Sequence, residues 1–397
     1  MTTHPGAVPL DGTRPAGDPA AFHRDLRRRH GAVVPVTLQG GAPAWLVIGY
    51  REVHHVTSHP EVFAHAAPAA PEGDAHERRA GALAAALEAV GPLWLRRTAE
   101  RIADGLVDRF CATGEAELTE QYAAPLAARV LTVVCGFPDA EAAVPTAALA
   151  GDGTGLAAAV ADLVARRRTT APPPGTGNGA GADVVSRLLA DPRALTDEEV
   201  TRDVTALFTM GHRPTADWIG NTLRLMLTDD RFTAPFSGGR HHVGDALQEV
   251  LWDDTPVPHV LGRRATRATQ LGGRDIAAGD LLILGLQGAN SDPAIRQPTG
   301  PDAEAAFWVT GLTGISTAGN RAYLSFGHGA HRCPFPAQEI AETTARTAVD
   351  ILLDRLPDIA PTVRETALTR RPSPWQRGLT ALPVRFRPTA PRADGAR

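Results

Sequence analysis

Lysine is missing from this chain: all 40 residues counted as Lys or Arg are arginine. Alanine, glycine and proline are abundant, and we attribute the whole bias to coding composition ahead of any functional demand. Cysteine is scarce. Cys111, Cys135 and Cys333 are the full complement, and an odd count without CxxC pairing argues against a disulfide framework or a structural zinc cluster, leaving a thiol for chemistry. Net charge is small, at -4 with a pI near 6.4, so no global basic field exists to hold a nucleic acid through its phosphates. No apolar run reaches the roughly 18 residues of a membrane-spanning helix, and the start, MTTHPGAVPLDGTRP, lacks the apolar core of a signal peptide. These absences predict a cytoplasmic protein with a small-molecule substrate and neither a nucleic-acid nor a membrane partner.

What is present suffices for a large folded body. With 397 residues and 43% hydrophobic content, the chain can bury one large core or two smaller ones. We expect a single domain over 21–387, an irregular start over 1–20 and a flexible tail over 388–397. VVPVTLQG and APAWLVIGY flank the Gly40-Gly41 turn signal and predict a small hairpin sheet, and TQLGGRDIAAGDLLILG predicts a second hairpin. Most of the rest carries helical periodicity, as in LRRTAERIADGLVDRF, broken by TTAPPPGTGNGAGAD over 169–183.

Chemistry concentrates at 326–333, FGHGAHRC, followed by a long helical pattern, PFPAQEIAETTARTAVDILLDRL. A thiol at the mouth of a helix is biased towards thiolate by the unpaired N–H groups and the positive dipole end. Gly327 and Gly329 permit a tight turn close to a flat ligand, and His331 and Arg332 offer polar heads for carboxylates. Two other local readings stand beside this one: His328, His331 and Cys333 as zinc ligands without an evident fourth, and an inert buried cysteine.

FGHGAHRC resembles the haem-binding signature FGxGxHxC of the cytochrome P450 family, and the likeness runs along nearly the whole chain. PAWLVIGYREVHHVTSHPEVF, YAAPLAARVLTVVCGFP and LGGRDIAAGDLLILGLQGANSDP resemble further family segments in the right order. The resemblance implies a mainly α fold with a minor β portion, haem b (iron protoporphyrin IX) lying between the central helix and the Cys-ligand helix. Cys333 is then the axial iron ligand, in a motif running from Phe326 to Phe335. His331 and Arg263 (in GRRAT) match positions that contact haem propionates, and His76 (in DAHERR) matches the histidine of the helix over the haem, with Arg264 or Arg78 as substitutes if the register shifts. The implied activity is monooxygenation of a small, largely apolar molecule with dioxygen and electrons from ferredoxin and ferredoxin reductase. The expected roof of the substrate pocket is drawn from Ala64–His76, 145–165, Val257–Leu261 and Trp375–Leu379.

Four departures from the family pattern bear on mechanism. ExxR reads Glu249-Val250-Leu251-Trp252, so the arginine is gone, as in a minority ExxW group of bacterial P450s whose genes tend to lie beside signalling clusters. Glu249 then needs another cation, such as Arg321, or more solvent, while Trp252 offers packing and one N–H. In TALFTMGHRPTADWIGNTL, which resembles the oxygen-binding segment, Gly211 is kept, but Arg213-Pro214 replaces the acid and threonine; Thr215 stands one place later. Arg213-Pro214 also resembles the pair of the fatty-acid peroxygenases, which implies hydrogen peroxide as oxidant and a substrate carboxylate on Arg213, unless Arg213 meets solvent or Asp217. Phe335 replaces a glycine, and Pro334, suited to the first helical position, removes an N–H that would bond the sulfur. Loss of both the acid–alcohol pair and the ExxR arginine keeps a non-catalytic haem protein as a third reading.

Overall fold

The computed structural model describes residues 6–10, 19–66, 73–138, 143–150, 155–170, 183–233, 241–295 and 321–392. The core of the broken run at 169–183, roof residues 67–72 and 151–154, and the last five residues lie outside these. By internal packing the chain divides into two compact units, one of residues 1–70, 248–333 and 370–377, the other of 71–247, 334–369 and 378–397.

The first unit is built on a six-stranded sheet in the order Val8–Leu10, Val33–Leu38, Pro43–Val47, Leu281–Gly285, His259–Ala265 and Phe63–His65. The predicted Gly40-Gly41 hairpin is present, pairing Val33 with Val47 and Val36 with Ala44, and both glycines take positive φ. The second predicted hairpin divides. Thr269–Leu271 pairs with Arg274–Ile276 around Gly272-Gly273, both at positive φ as a two-residue turn requires. The apolar run Leu281–Gly285 leaves the hairpin and becomes an interior strand, parallel to Pro43–Val47 and antiparallel to His259–Ala265. Unbroken apolar runs suit strands covered on both faces. Trp45, Val47, Leu282 and Leu284 enter one core with Phe63 and Leu324, while the alternate residues Ala44, Leu46, Ile48 and Ile283 enter another with Leu26. Within the first twenty residues, Val8–Leu10 forms a strand parallel to Val36–Leu38, its ends Val8 and Leu10 buried.

The second unit is helical, with one three-stranded sheet. Its central helix, Asp197–Thr228, starts at a reciprocal capping box between Thr196 and Glu199, and three acids in the first turn favour the dipole. Buried Arg79 pairs with Asp203 and Arg78 with Glu199, tying helix Gly73–Glu88 to that first half. Ala124, Ala127 and Ala216 make a small-residue contact where helix Ala124–Cys135 meets the central helix. Helix Phe335–Arg355 ends on Arg355, which donates to Asp104 and Asp108 of the Pro92–Val107 region, and Tyr122 Oη donates to Ala348 O at 2.6 Å.

Candidate functional site

In the first unit the 326–333 segment closes on itself. Cys333 N–H donates to Phe326 O at 2.9 Å, and Gly327 and Gly329 both adopt positive φ inside the loop. Gly329 lies against helix Tyr50–Ser58 so closely that a Cβ there would stand 2.2 Å from Thr57 O. Thr57 Oγ1 also meets His328 Nδ1 at 2.9 Å, and the His328 ring stacks on His54 with centroids 3.9 Å apart. His328 is thereby engaged, and among the described residues no group of three His, Cys, Asp or Glu side chains is arranged to hold a metal ion. Among the described residues, nothing supports the zinc reading.

The expected thiolate bias does not hold for the protein alone: burial pushes the half-buried Cys333 thiol up to about 11. Two features defeat the dipole argument. Cysteine's own N–H is committed to Phe326, and the helix begins only at Phe335. Pro334 therefore stands at the N-cap (φ -54, ψ 138), one place earlier than expected, and Pro336 enters the first turn. Bonding to a metal ion removes the proton from a buried thiol outright.

The predicted carboxylate partners in this unit converge. The His331 ring lies 4.9 Å from that of His65, and His65 pairs in register with Arg263 across the strands Phe63–His65 and His259–Ala265. Arg263 is buried and donates to Gly262 O; its neighbour Arg264 is exposed and donates to Gly279 O, so Arg263 is the inward residue of the two. A reduced thiol at the end of a glycine loop, with a buried guanidinium and two imidazoles on adjoining elements, is the donor set that haem needs: a soft ligand for iron and cations for two carboxylates. The residues fit the group.

Trp252 of the ExxW segment is almost fully buried and stands edge-on to Tyr323, with ring centroids 5.7 Å apart. Glu249 is half-buried and Arg321 exposed. Two of the expected roof segments meet in this unit: His259 Nδ1–H donates to Pro374 O at 2.6 Å, and Arg377 N–H to Pro256 O at 2.8 Å. Sequence reasoning missed the charges beneath them, where buried Asp254 binds both Arg370 and Arg377. Nothing local marks a pairing across more than a hundred residues.

The remaining candidates belong to the second unit. His76 is half-buried in helix Gly73–Glu88, and Phe335 is exposed. On the central helix, a Cβ at Gly211 would sit 3.4 Å from Leu131, ordinary contact, so packing alone does not demand glycine there. Arg213 Nη1 donates to Glu120 Oε1 at 3.2 Å, and not to buried Asp217 as one expectation had it. Thr215 is buried. Thr205, Thr209, Thr222 and Thr228 all return their hydroxyls to the carbonyl four residues back; Thr215 makes no such bond.

Against this geometry, the chain is 28% identical to cytochrome P450 monooxygenase PikC of Streptomyces venezuelae, over 94% of this chain and 92% of that protein. It is 26% identical to cytochrome P450 105A3 of Streptomyces carbophilus, over 95% of each. The chain is a cytochrome P450. Solved structures share the fold: the P450 enzyme CxnD, named for C–S bond formation in chuangxinmycin biosynthesis, superposes with a TM-score of 0.77 at 23% identity, covering 99% of this P450 and 100% of CxnD. Ligand-free CYP105P1 gives 0.76 at 23% identity, covering 96% and 100%. No family model matches the chain. As with its relatives, this P450 is an oxidoreductase whose family cofactor is haem, and among the described residues no helix is long and apolar enough to cross a membrane.

Proposed function

We propose that this P450 is a haem-thiolate monooxygenase of the ExxW type, holding haem b through Cys333. It inserts one oxygen atom into a small, largely apolar molecule, using dioxygen and electrons from a ferredoxin-type partner. The closed loop that presents the Cys333 thiol beside His331, His65 and Arg263 carries the reading. Haem, when bound, supplies the activation of dioxygen. His331 and Arg263 are the donors for its propionates.

Thr215 Oγ1 is the group we assign to proton delivery. It is buried without the hydrogen bond that four other threonines of its helix make, so the hydroxyl is available both to accept and to donate. Pro214 before it has no N–H, and Met210 O therefore lacks its helical donor. Gly211 leaves the same turn without a side chain. Arg213, by contrast, already holds a carboxylate, that of Glu120, so no observation favours the peroxide-driven reading with a substrate acid on Arg213.

The test is turnover of a panel of apolar molecules and carboxylic acids under isotopically labelled dioxygen, with ferredoxin, ferredoxin reductase and reduced nicotinamide supplied. Label incorporated only when the electron donors are present supports the reading. Product formed from peroxide alone, confined to carboxylic acids, contradicts it.

A further inference from the structure

Two amide side chains on the short helix Leu286–Asn290, Gln287 and Asn290, have no exposure to solvent. Asn290 uses its whole amide. Nδ2 donates to Leu251 O and to Ser325 Oγ, each at 2.9 Å, while Oδ1 accepts Leu324 N–H at 2.7 Å. Ser325 Oγ reaches Leu251 O as well, at 2.6 Å. Gln287 repeats the pattern one turn earlier, donating to Trp252 O at 3.1 Å and accepting Thr255 N–H at 2.9 Å. The end of the ExxW helix is thus bonded through Leu251 O and Trp252 O to helix Leu286–Asn290, and through Leu251 O, by way of Asn290 and Ser325, to the segment leading into the thiol loop. An aromatic run follows the same line: Trp252 edge-on to Tyr323, then Tyr323 to Phe326 at 6.3 Å. Phe326 O is the acceptor of Cys333 N–H.

We propose that this neutral clamp, with Asn290 at its centre and Trp252 as its packing face, positions the Cys333 loop in place of the missing ExxR arginine. The proposal rests on the haem-thiolate reading above. Its physical basis is that buried groups satisfied on every side rigidify a site without the desolvation cost of a buried ion pair. Asparagine is specified because one side chain must both accept from Leu324 and donate to Leu251; aspartate has no donor and leucine neither function. Asn290 and Trp252 touch no reacting atom in this scheme and are positioning residues.

The test uses the haem-loaded protein and four variants: Asn290→Leu, Trp252→Leu, Trp252→Phe and, as a control in the opposite core of the sheet, Val36→Ala. For each, melting temperature is measured, and the reduced carbon-monoxide spectrum is recorded well below it to give the fraction with thiolate-type ligation. The clamp predicts that Asn290→Leu and Trp252→Leu lose the greater part of the thiolate-type fraction, that Trp252→Phe restores it, and that Val36→Ala melts lower with that fraction unchanged. If Asn290→Leu does not fold, the Trp252 pair decides. Wild-type thiolate fractions in both leucine variants, or an equal loss in Val36→Ala, overturn the clamp while leaving the haem reading intact. A wild-type protein without thiolate-type ligation overturns the haem reading, and the clamp with it.

Discussion

The imidazoles of His23 and His259 lie with centroids 5.8 Å apart, each fully buried and each giving its Nδ1–H to a backbone carbonyl, of Pro19 at 2.7 Å and of Pro374 at 2.6 Å. Neither Nε2 has a hydrogen-bond partner. Burial is the main cause for both: it lowers His23 to about 3, helped by His259, Arg27 and Arg377, and His259 to about 4, helped by Arg377.

Both rings stay neutral in the folded protein while the unfolded chain takes up protons below the ordinary histidine value of 6.5. Stability is therefore unaffected above that value and falls as pH drops towards the folded values. Between about pH 7 and about pH 5 each histidine is expected to remove about 2 kcal/mol. Urea unfolding at the two pH values checks this, and His23→Gln and His259→Gln should each flatten the slope. A wild-type stability independent of pH in this range would contradict it.

Asp254 is held by two arginines with little solvent around any of the three. Asp254→Asn leaves both guanidiniums without their anion and should cost about 3–5 kcal/mol. Glu120→Gln, at the more exposed pair with Arg213, should change stability by no more than about 1 kcal/mol. Denaturant midpoints of the two variants give the comparison, and equal midpoints would count against it.

Gly327 and Gly329 share nearly the same φ, +76 and +78, yet their surroundings differ. A methyl at Gly327 finds its nearest neighbour at 3.5 Å, whereas at Gly329 it meets Thr57 O at 2.2 Å. Gly327→Ala should lose about 1–2 kcal/mol, the cost of the backbone conformation alone. Gly329→Ala must also move the loop, and should lose both more stability and most of the bound haem. Melting temperature and haem content of the two proteins test the order.

Much of this was legible in the sequence because the signals were local. The Gly40-Gly41 hairpin, the glycine loop before Cys333 and the burial of Trp252 follow from turn chemistry, motif and hydrophobicity. Asn290 lay in a segment, LQGANSDP, whose likeness to relatives was evident, but its three partners were not, since they come from two other stretches of chain. Leu281–Gly285 was misassigned because an apolar run fits a hairpin arm and an interior strand equally well; only its pairing with Pro43–Val47 decides. The thiol's protonation failed for a related reason. Dipole and capping are read from neighbours in sequence, while desolvation depends on everything packed around Cys333.

Pro334 supplies no N–H next to the Cys333 sulfur, the iron ligand in our proposal. Fewer hydrogen bonds to a thiolate leave it more electron-rich and the iron harder to reduce. Pro334→Ala should therefore raise the iron midpoint potential, measured by redox titration of the haem-loaded proteins. Equal potentials would reject the effect.

The most direct measurement is the absorption spectrum of the reduced, carbon-monoxide-bound protein, for the wild type and for Cys333→His. Thiolate-type ligation in the wild type, replaced by a nitrogen-ligated spectrum in Cys333→His, is the predicted result. A wild-type protein that stays colourless with haemin, or shows nitrogen ligation itself, would contradict the assignment of Cys333 to iron.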